Sequence, residues 1–476
     1  MTADPAPPAS GLRARFAALL APGTPRLLAA AMLALFLAAL EQTIIGPVLG
    51  GILTDLGQGA LVPWITTGFL LASTVAAPLY GAVADIHGRR KALLIGCGLF
   101  LAGSLGCALA TGLEVLVLAR IVQGAGAGGL VALPFIIVAD RVPMRRRAVF
   151  SAYISTIYAV AGLLGPVAGS VVAAWLDWRW VFWINLPACA LVIWGVTSAL
   201  APRAPHKGRR LDGVGALFLL CAAVPSILLL EGHFGKAGTL VLVVAAVSFW
   251  GLFARHIRSA ADPLVPLAVM SDRSILLTAL ALAMAQGSNL GLAVYLPIWL
   301  QAVYGLDPGT AGVALLAFVG AIMVGAYIPP RLLRRNPAYK PMMLMSAFLS
   351  FAFSLVFCLF GIWSVPLFAA LLAVVGLGLG IGLLYPIFTL VVQNSAGPGQ
   401  IGAAIGVQSF LRSLGGTLGV TLAGAAALWS GLLSTTDGTE VAPGILAMVP
   451  TVLMGICVLL IAFLPARRLE GYAAKG

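Results

Sequence analysis

One alternation constrains this chain more than any other feature. Fourteen apolar stretches run through its 476 residues, and nearly all its positive charge sits in every second gap between them. Of 28 Lys and Arg, 24 fall in the two tails and the even-numbered gaps. The odd-numbered gaps hold only Arg179 and Lys236, while Arg120 and Arg412 lie inside apolar stretches. Hydrocarbon offers no partner to backbone N–H and C=O groups, so only helices and closed barrels cross it. Runs of about 20 apolar residues match helices and are too long for barrel strands. The chain is therefore predicted to be an all-α integral membrane protein. Short loops rich in Lys and Arg stay cytoplasmic, which places both termini inside and makes the number of spans even. Composition agrees, with 61% hydrophobic and 9% charged residues, against roughly 45–50% and 25% in soluble domains. The net charge of +13 would otherwise suggest nucleic acid. Here it is spread over short segments beside the spans, so membrane lipid is the expected partner and nucleic acid is not.

The stretches lie near 27–50, 62–83, 92–111, 115–139, 148–174, 180–200, 212–231, 238–255, 275–301, 309–329, 341–361, 365–391, 401–433 and 444–465. Two longer basic segments, Pro202–Arg210 and Arg255–Arg273, divide them into six, two and six. The expected organisation is a cytoplasmic tail (1–26), a six-helix bundle (27–200), a linker with an inserted transmembrane hairpin (201–256), a second six-helix bundle (257–466) and a cytoplasmic tail (467–476). Two six-helix halves are a common transporter plan. The first 26 residues do not resemble a cleavable signal, because the apolar run that follows is too long. The Arg-, Ala- and Gly-rich composition suggests a GC-rich bacterial source, hence a bacterial plasma (inner) membrane. Cys97, Cys107, Cys189, Cys221, Cys358 and Cys457 all fall inside apolar stretches and read as small core residues. Neither a disulfide nor a metal site is expected.

Glu41 is the one acid deep inside an apolar stretch. A charged side chain at the bilayer centre costs about 2.5–3.5 kcal/mol on insertion scales, so such a residue faces an aqueous cavity or a partner. Glu41 is accordingly either a proton carrier, the anchor of a cationic substrate, or a carboxyl group hydrogen-bonded within the bundle. Arg120 either holds a neighbouring carboxylate ionised or packs against backbone carbonyls. Arg412, one turn after Gln408, either meets substrate or satisfies carbonyls of the preceding span. Gln286 and Asn289, three residues apart, and Tyr295 beyond them either line a cavity or hydrogen-bond between helices. At the end of the second stretch, Gly81 permits close helix approach, Asp85 brings a negative charge, Gly88 allows a tight reversal, and Arg89, Arg90 and Lys91 open the next helix. Asp140 and Arg145 follow the fourth stretch. A carboxylate among guanidiniums in both loops suggests a charge network that latches one gate state. Gly162, Gly165 and Gly169 share a helix face, and Pro166 kinks that helix. No nucleotide-binding loop of the GxxxxGK[ST] type occurs. Transport energy is thus expected from an ion gradient or from the substrate's own gradient, without a cofactor. No serine-elbow, paired-acid or metal constellation is visible, so an enzyme is not expected; a membrane-embedded lipid enzyme would need one.

These motifs together resemble a known family. The stretch Gly81-x-x-x-Asp85-x-x-Gly88-Arg89-Arg90-Lys91 is similar to the signature loop of the major facilitator superfamily. Leu118-Ala-Arg120-Ile-Val-Gln123-Gly124 is similar to its buried-arginine motif, and Gly162-Leu-Leu-Gly165-Pro166-Val-Ala-Gly169-Ser170 to its antiporter motif, with Ser170 where a final Gly is common. Trp178-Arg179-Trp180-Val-Phe182-Trp183-Ile-Asn185-Leu-Pro187, Tyr295-Leu-Pro297 and Arg412-Ser-Leu-Gly415-Gly416 resemble the fourteen-span drug:proton antiporter branch. The resemblance implies a major facilitator fold of two six-helix bundles plus the hairpin. It also implies proton-coupled export of hydrophobic or cationic amphiphilic small molecules by alternating access, with Glu41 and Arg120 in proton coupling. A monomer suffices for this. One departure stands out: the family often has Asp, then Asn and an Ala-Leu-Pro run in the first span, where this chain has Glu41-Gln42-Thr43-Ile-Ile-Gly46-Pro47. Substrate class therefore does not transfer, and a narrow-specificity exporter of a lipid or metabolite remains the alternative.

Overall fold

A computed structural model describes residues 24–57, 61–62, 64–200, 211–231, 235–335, 338–360, 365–397, 399–429 and 444–465. Within them the first group of helices is α1 (Thr24–Leu56), α2 (Trp64–His87), α3 (Arg89–Ala108), α4 (Leu113–Arg141), α5 (Met144–Trp175), α6 (Trp180–Trp183) and α7 (Asn185–Ala199). Two further helices follow, α8 (Gly213–Glu231) and α9 (Lys236–Ser259). The last group is α10 (Leu267–Ser271), α11 (Arg273–Tyr304), α12 (Pro308–Ala326), α13 (Pro329–Arg335), α14 (Tyr339–Phe360), α15 (Leu367–Ser395), α16 (Ile401–Trp429) and α17 (Gly444–Ala462). Among the described residues, 11 helical segments are long and apolar enough to cross a membrane, and two shorter apolar helices accompany them. Helices form because each segment must satisfy its own backbone in lipid. Their contact faces are rich in Gly and Ala, which lets backbones approach where apolar burial gives no driving force.

The long helices lie near the expected stretches, with several differences, among them the short helices α10 and α13 in segments expected to be loops. The sixth stretch is not one helix: α6 stops at Trp183 and α7 restarts at Asn185. The first helix runs on to Leu56, so Thr54 and Asp55 are helical. The basic segment Pro202–Arg210, residues 1–23 and the expected C-terminal tail 467–476 lie outside the described residues, while Thr24, Pro25 and Arg26, expected in the N-terminal tail, open α1.

Packing sorts the helices into two sets. One apolar core joins α1–α5 with α7–α9 and reaches the start of α16; a second joins α11, α12, α14, α15 and α17 with the end of α16, which packs along α11 and so goes with the second set. The sets meet where α2 packs on α16 and α5 packs on α12 and α15. Helices α8 and α9 pack on each other, and α8 also lies against both α2 and α16. Their ends are drawn together at Asp212. Its carboxylate accepts from Gly215 N at 2.7 Å and Leu264 N at 3.0 Å, and both its oxygens lie within 3.0 Å of His256 Nε2.

Burial of Asp212 raises its pKa, but the bonds from Gly215, His256 and Leu264 together outweigh burial and hold it below the usual carboxylate value. A depressed carboxylate stabilises the fold above its unfolded pKa of about 3.9, and that contribution is lost as pH falls through the folded value. Asp212→Asn should therefore cost about 1–3 kcal/mol near neutral pH, read as a lower Tm. The gap from the unsubstituted chain should begin to narrow below about pH 4 and close only once pH falls past the lower folded value, where both side chains are neutral. A constant gap across that range would assign the effect to shape alone.

Candidate functional site

The deepest polar cluster is built on α1, α4 and α7. Glu41 stands 17 residues into α1 and Arg120 seven residues into α4, so at 1.5 Å per residue Arg120 lies about 10 Å from the end remote from the basic loops. Both side chains are almost fully buried, and Arg120 Nη1 donates to Glu41 Oε1 at 2.7 Å. The same nitrogen reaches Gln123 Oε1 at 2.7 Å, and Nε donates to the Ile65 carbonyl at 3.0 Å. Arg120 thus meets both a carboxylate and a backbone carbonyl. Its guanidinium also stacks over Phe69, 4.2 Å from the ring centroid, a cation–π contact strengthened by burial. Asn185 Nδ2 donates to the other carboxylate oxygen, Oε2, at 3.0 Å, and Ser104 Oγ accepts from both Asn185 and Gln123.

Of the surroundings left open for Glu41, this arrangement has the polar partners. Glu41 does not face an open aqueous cavity: it is 1% exposed, and every partner it has is polar. A carboxylate held by a permanent guanidinium and an amide is not free to anchor a cationic substrate in this conformation. Its dryness has a packing origin. On α5, a Cβ at Gly165 would meet Thr43 Oγ1 at 1.9 Å, and one at Gly169 would meet the Ile44 carbonyl at 2.5 Å. The expected glycine face thus closes on the turn of α1 just past Glu41, with Pro166 inside the same helix. Gly162 takes no part, since nothing lies within 4 Å of its Cβ position.

At the basic-loop end the two sets of helices meet backbone to backbone. A Cβ on Gly81 would stand 2.2 Å from the Gly402 carbonyl oxygen, and one on Gly402 would stand 2.3 Å from that of Gly81. This approach brings Asp85, one turn on, to the start of α16. Its carboxylate accepts from Gly402 N at 3.3 Å and Ala403 N at 3.2 Å. The first N–H groups of a helix have no partner inside it, and the helix dipole favours a negative charge there. Arg89 then bridges Asp85, at 2.9 Å, and Asp140, so it links the ends of α2 and α4. Gly88, at φ +87°, makes the reversal into α3 in a conformation few other residues adopt. Arg90 and Lys91 open α3 without joining the network among the described residues. The side chain of Arg145 lies outside the described set.

Further polar groups gather about halfway along the second set. Arg412 lies 11 residues into α16 and Gln286 13 residues into α11, depths of about 16 and 20 Å. Tyr385 donates to Gln286 Oε1 at 3.0 Å; Asn289 lies one turn after Gln286 on the same helix and is half-buried. Arg412 does not take up carbonyls of the preceding span: it donates to the Tyr158 hydroxyl across the gap between the sets. Gln408, one turn earlier, is buried. Tyr295 is separate from this group, its hydroxyl packed over Gly424.

Comparison with known proteins decides the family. A model of the Major Facilitator Superfamily matches residues 31–420. The chain is a member of the major facilitator superfamily. This transporter is 28% identical over 400 residues to "Multidrug resistance protein 3" of Bacillus subtilis (strain 168), covering 83% of this chain and 77% of that protein. It is 28% identical over 402 residues to "Multidrug transporter protein MdtP" of the same organism, covering 83% of this chain and 73% of that one. Among solved structures, the proton:xylose symporter XylE bound to 6-bromo-6-deoxy-D-glucose superposes with a TM-score of 0.67 at 14% identity, covering 94% of this chain and 98% of that chain. At that identity the likeness speaks for the fold alone.

Tyr158, Tyr385 and the two N–H groups of α16 were not singled out from sequence, and Asn185 entered only within the Trp178–Pro187 motif, without a role. Asn185 had a signal of its own, as a lone amide at the start of an apolar helix.

Proposed function

We propose that this transporter is a proton-coupled antiporter exporting hydrophobic or amphiphilic compounds, with fourteen spans in the order six, two, six and both termini cytoplasmic in a bacterial plasma membrane. The observation that carries the reading is the buried Glu41–Arg120 pair, closed by Asn185. A proton arriving at Glu41 would remove one charge and leave Arg120 uncompensated, and an uncompensated buried charge is costly. Protonation would therefore change the relative stability of the packing around α1, α4 and α7. That is the property alternating access needs: a protonation step coupled to the way helices pack. The residues Gly81, Asp85, Arg89 and Asp140 would hold the cytoplasmic end shut in the state described, and the Gly165–Gly169 face would seal the route past Glu41. The names of the Bacillus relatives support drug-like cargo.

The test is dye or drug uptake into inverted vesicles driven by an imposed pH gradient. The unsubstituted chain should accumulate cargo and release protons, and Glu41→Gln should lose gradient-driven accumulation while retaining downhill exchange. Gradient-driven accumulation undiminished in Glu41→Gln would remove Glu41 from coupling.

A further inference from the structure

The electrostatics around Arg412 bear on the charge of the cargo. Arginine stays protonated in proteins and carries five N–H donors. Deep in the bundle such a group normally finds an acid, as Arg120 does. Arg412 does not. Among the described residues its side-chain hydrogen bond goes to the neutral Tyr158 hydroxyl. Its remaining partners are the ring faces of Tyr158 and Phe135, with centroids at 4.5 and 5.7 Å. No ion pair in the described structure includes it, and the one acid at comparable depth is committed to Arg120. One turn back on the same face, Gln408 is 4% exposed and its amide nitrogen has no hydrogen-bond partner. One turn on from Arg412, the Cβ position of Gly416 lies 3.5 Å from Cγ of the half-buried Gln286, which bonds the half-buried Tyr385, and Asn289 follows one turn later on the Gln286 helix.

We propose that Arg412 and Gln408 form a binding site for a negatively charged group, so that the exported compound is an amphiphilic organic anion or a zwitterion that presents its acidic end here. The proposal rests on the reading of this protein as a small-molecule transporter and names the class of substrate. A carboxylate or sulfonate accepts two parallel N–H bonds from a guanidinium and can take the idle Gln408 donor as well. Neither Tyr158 nor a ring face does this. An anion settling there takes Arg412 away from Tyr158, and Tyr158 belongs to the other set of helices. Binding would thus undo one of the bonds that joins the two sets. A cation at the same place would meet an uncompensated positive charge.

The experiment reads the local potential directly, without a transport assay. Asn289→Cys is made in the full chain and reconstituted in phosphatidylcholine liposomes. Its labelling by a sulfonate-bearing and a trimethylammonium-bearing methanethiosulfonate is compared, with background from the native thiols taken from the unsubstituted chain. Relative to a free thiol in solution, the anionic reagent should react faster on the order of tenfold. That preference should vanish when Arg412→Gln is added and survive Arg412→Lys. Fluorescein, an anionic xanthene, should protect the thiol, whereas rhodamine 6G, a cationic one, should not. Protection by phosphatidylglycerol in the bilayer, without fluorescein, would identify a lipid headgroup as the source of the anion. Equal rates for the two reagents, a cationic preference, indifference to Arg412→Gln, or a thiol that neither reagent reaches would each overturn the proposal. Because no gradient is applied and Glu41 is untouched, a protein that proves not to be proton-coupled can still pass this test, and the reverse holds.

Discussion

Arg120→Leu should be among the most damaging single substitutions in the chain, destabilising it by about 3–5 kcal/mol. The loss does not measure the worth of the ion pair. It measures the cost of leaving Glu41 buried with no counter-charge, together with a Gln123 amide and an Ile65 carbonyl that lose their donor. Glu41→Leu should cost a comparable amount for the opposite reason, stranding the guanidinium between Phe69 and Phe182. The two effects share one interaction, so they cannot add. The double variant, Glu41→Leu with Arg120→Leu, should recover much of the loss, because an apolar pair of similar volume can replace a buried ion pair at little cost. Recovery should stop short of complete, since Asn185 and Gln123 each lose an acceptor or donor. Unfolding of the purified protein in detergent, followed by tryptophan fluorescence, gives all four corners of the cycle. Additive losses would mean that the carboxylate and guanidinium are not directly coupled. Export should be lost at all three substituted corners, which separates what the pair does for folding from what it does for transport.

Much of this architecture was legible because membrane helices are local objects. A run of apolar residues and the loop charges flanking it reveal each helix within its own segment, and the helix ends fell close to the expected places. The same holds for residue types that are expensive where they stand: Glu41, Arg120 and Arg412 announced themselves by their cost in an apolar stretch. What those residues touch was not legible, because the partners are remote in sequence and some are not side chains at all. Asn185 reaches Glu41 across 144 positions, and the Asp85 carboxylate meets backbone N–H groups more than 300 positions away. No composition or spacing marks a backbone group as a ligand. Wetness was equally invisible. A carboxylate in a span must have water or a partner, and only the packing of α4, α5 and α7 onto α1 shows that Glu41 has partners instead.

Gly81→Val should abolish closure at the basic-loop end and reduce export at least on the order of tenfold, the rate factor that 1.36 kcal/mol corresponds to. The size of the expected effect comes from what the new side chain would strike. A Cβ at this position would sit 2.2 Å from a backbone carbonyl oxygen of α16, and neither helix backbone can swing aside as a flexible side chain would. The helices must part by an ångström or more, and packed interfaces answer such a demand by exchanging one arrangement for another. Parting them also removes Asp85 from the start of α16, so the charge–dipole contact, worth about 0.3–1 kcal/mol at an exposed site and up to about 2 when partly buried, is lost with the contact that positions it. Asp85→Asn is the informative companion. It keeps the shape and the Gly81–Gly402 contact but gives up the charge, so it should weaken closure by less than Gly81→Val does. Thiol-reactive probes applied from the basic-loop side, against a cysteine introduced on the α16 face below Gly402, should therefore react fastest in Gly81→Val, more slowly in Asp85→Asn and slowest in the unsubstituted chain. Gly402→Val, striking the same contact from the other helix, should match Gly81→Val. If Gly81→Val exports normally and stays protected, the close approach of α2 and α16 is not the lock at that end, and Asp85 would have to hold it shut alone.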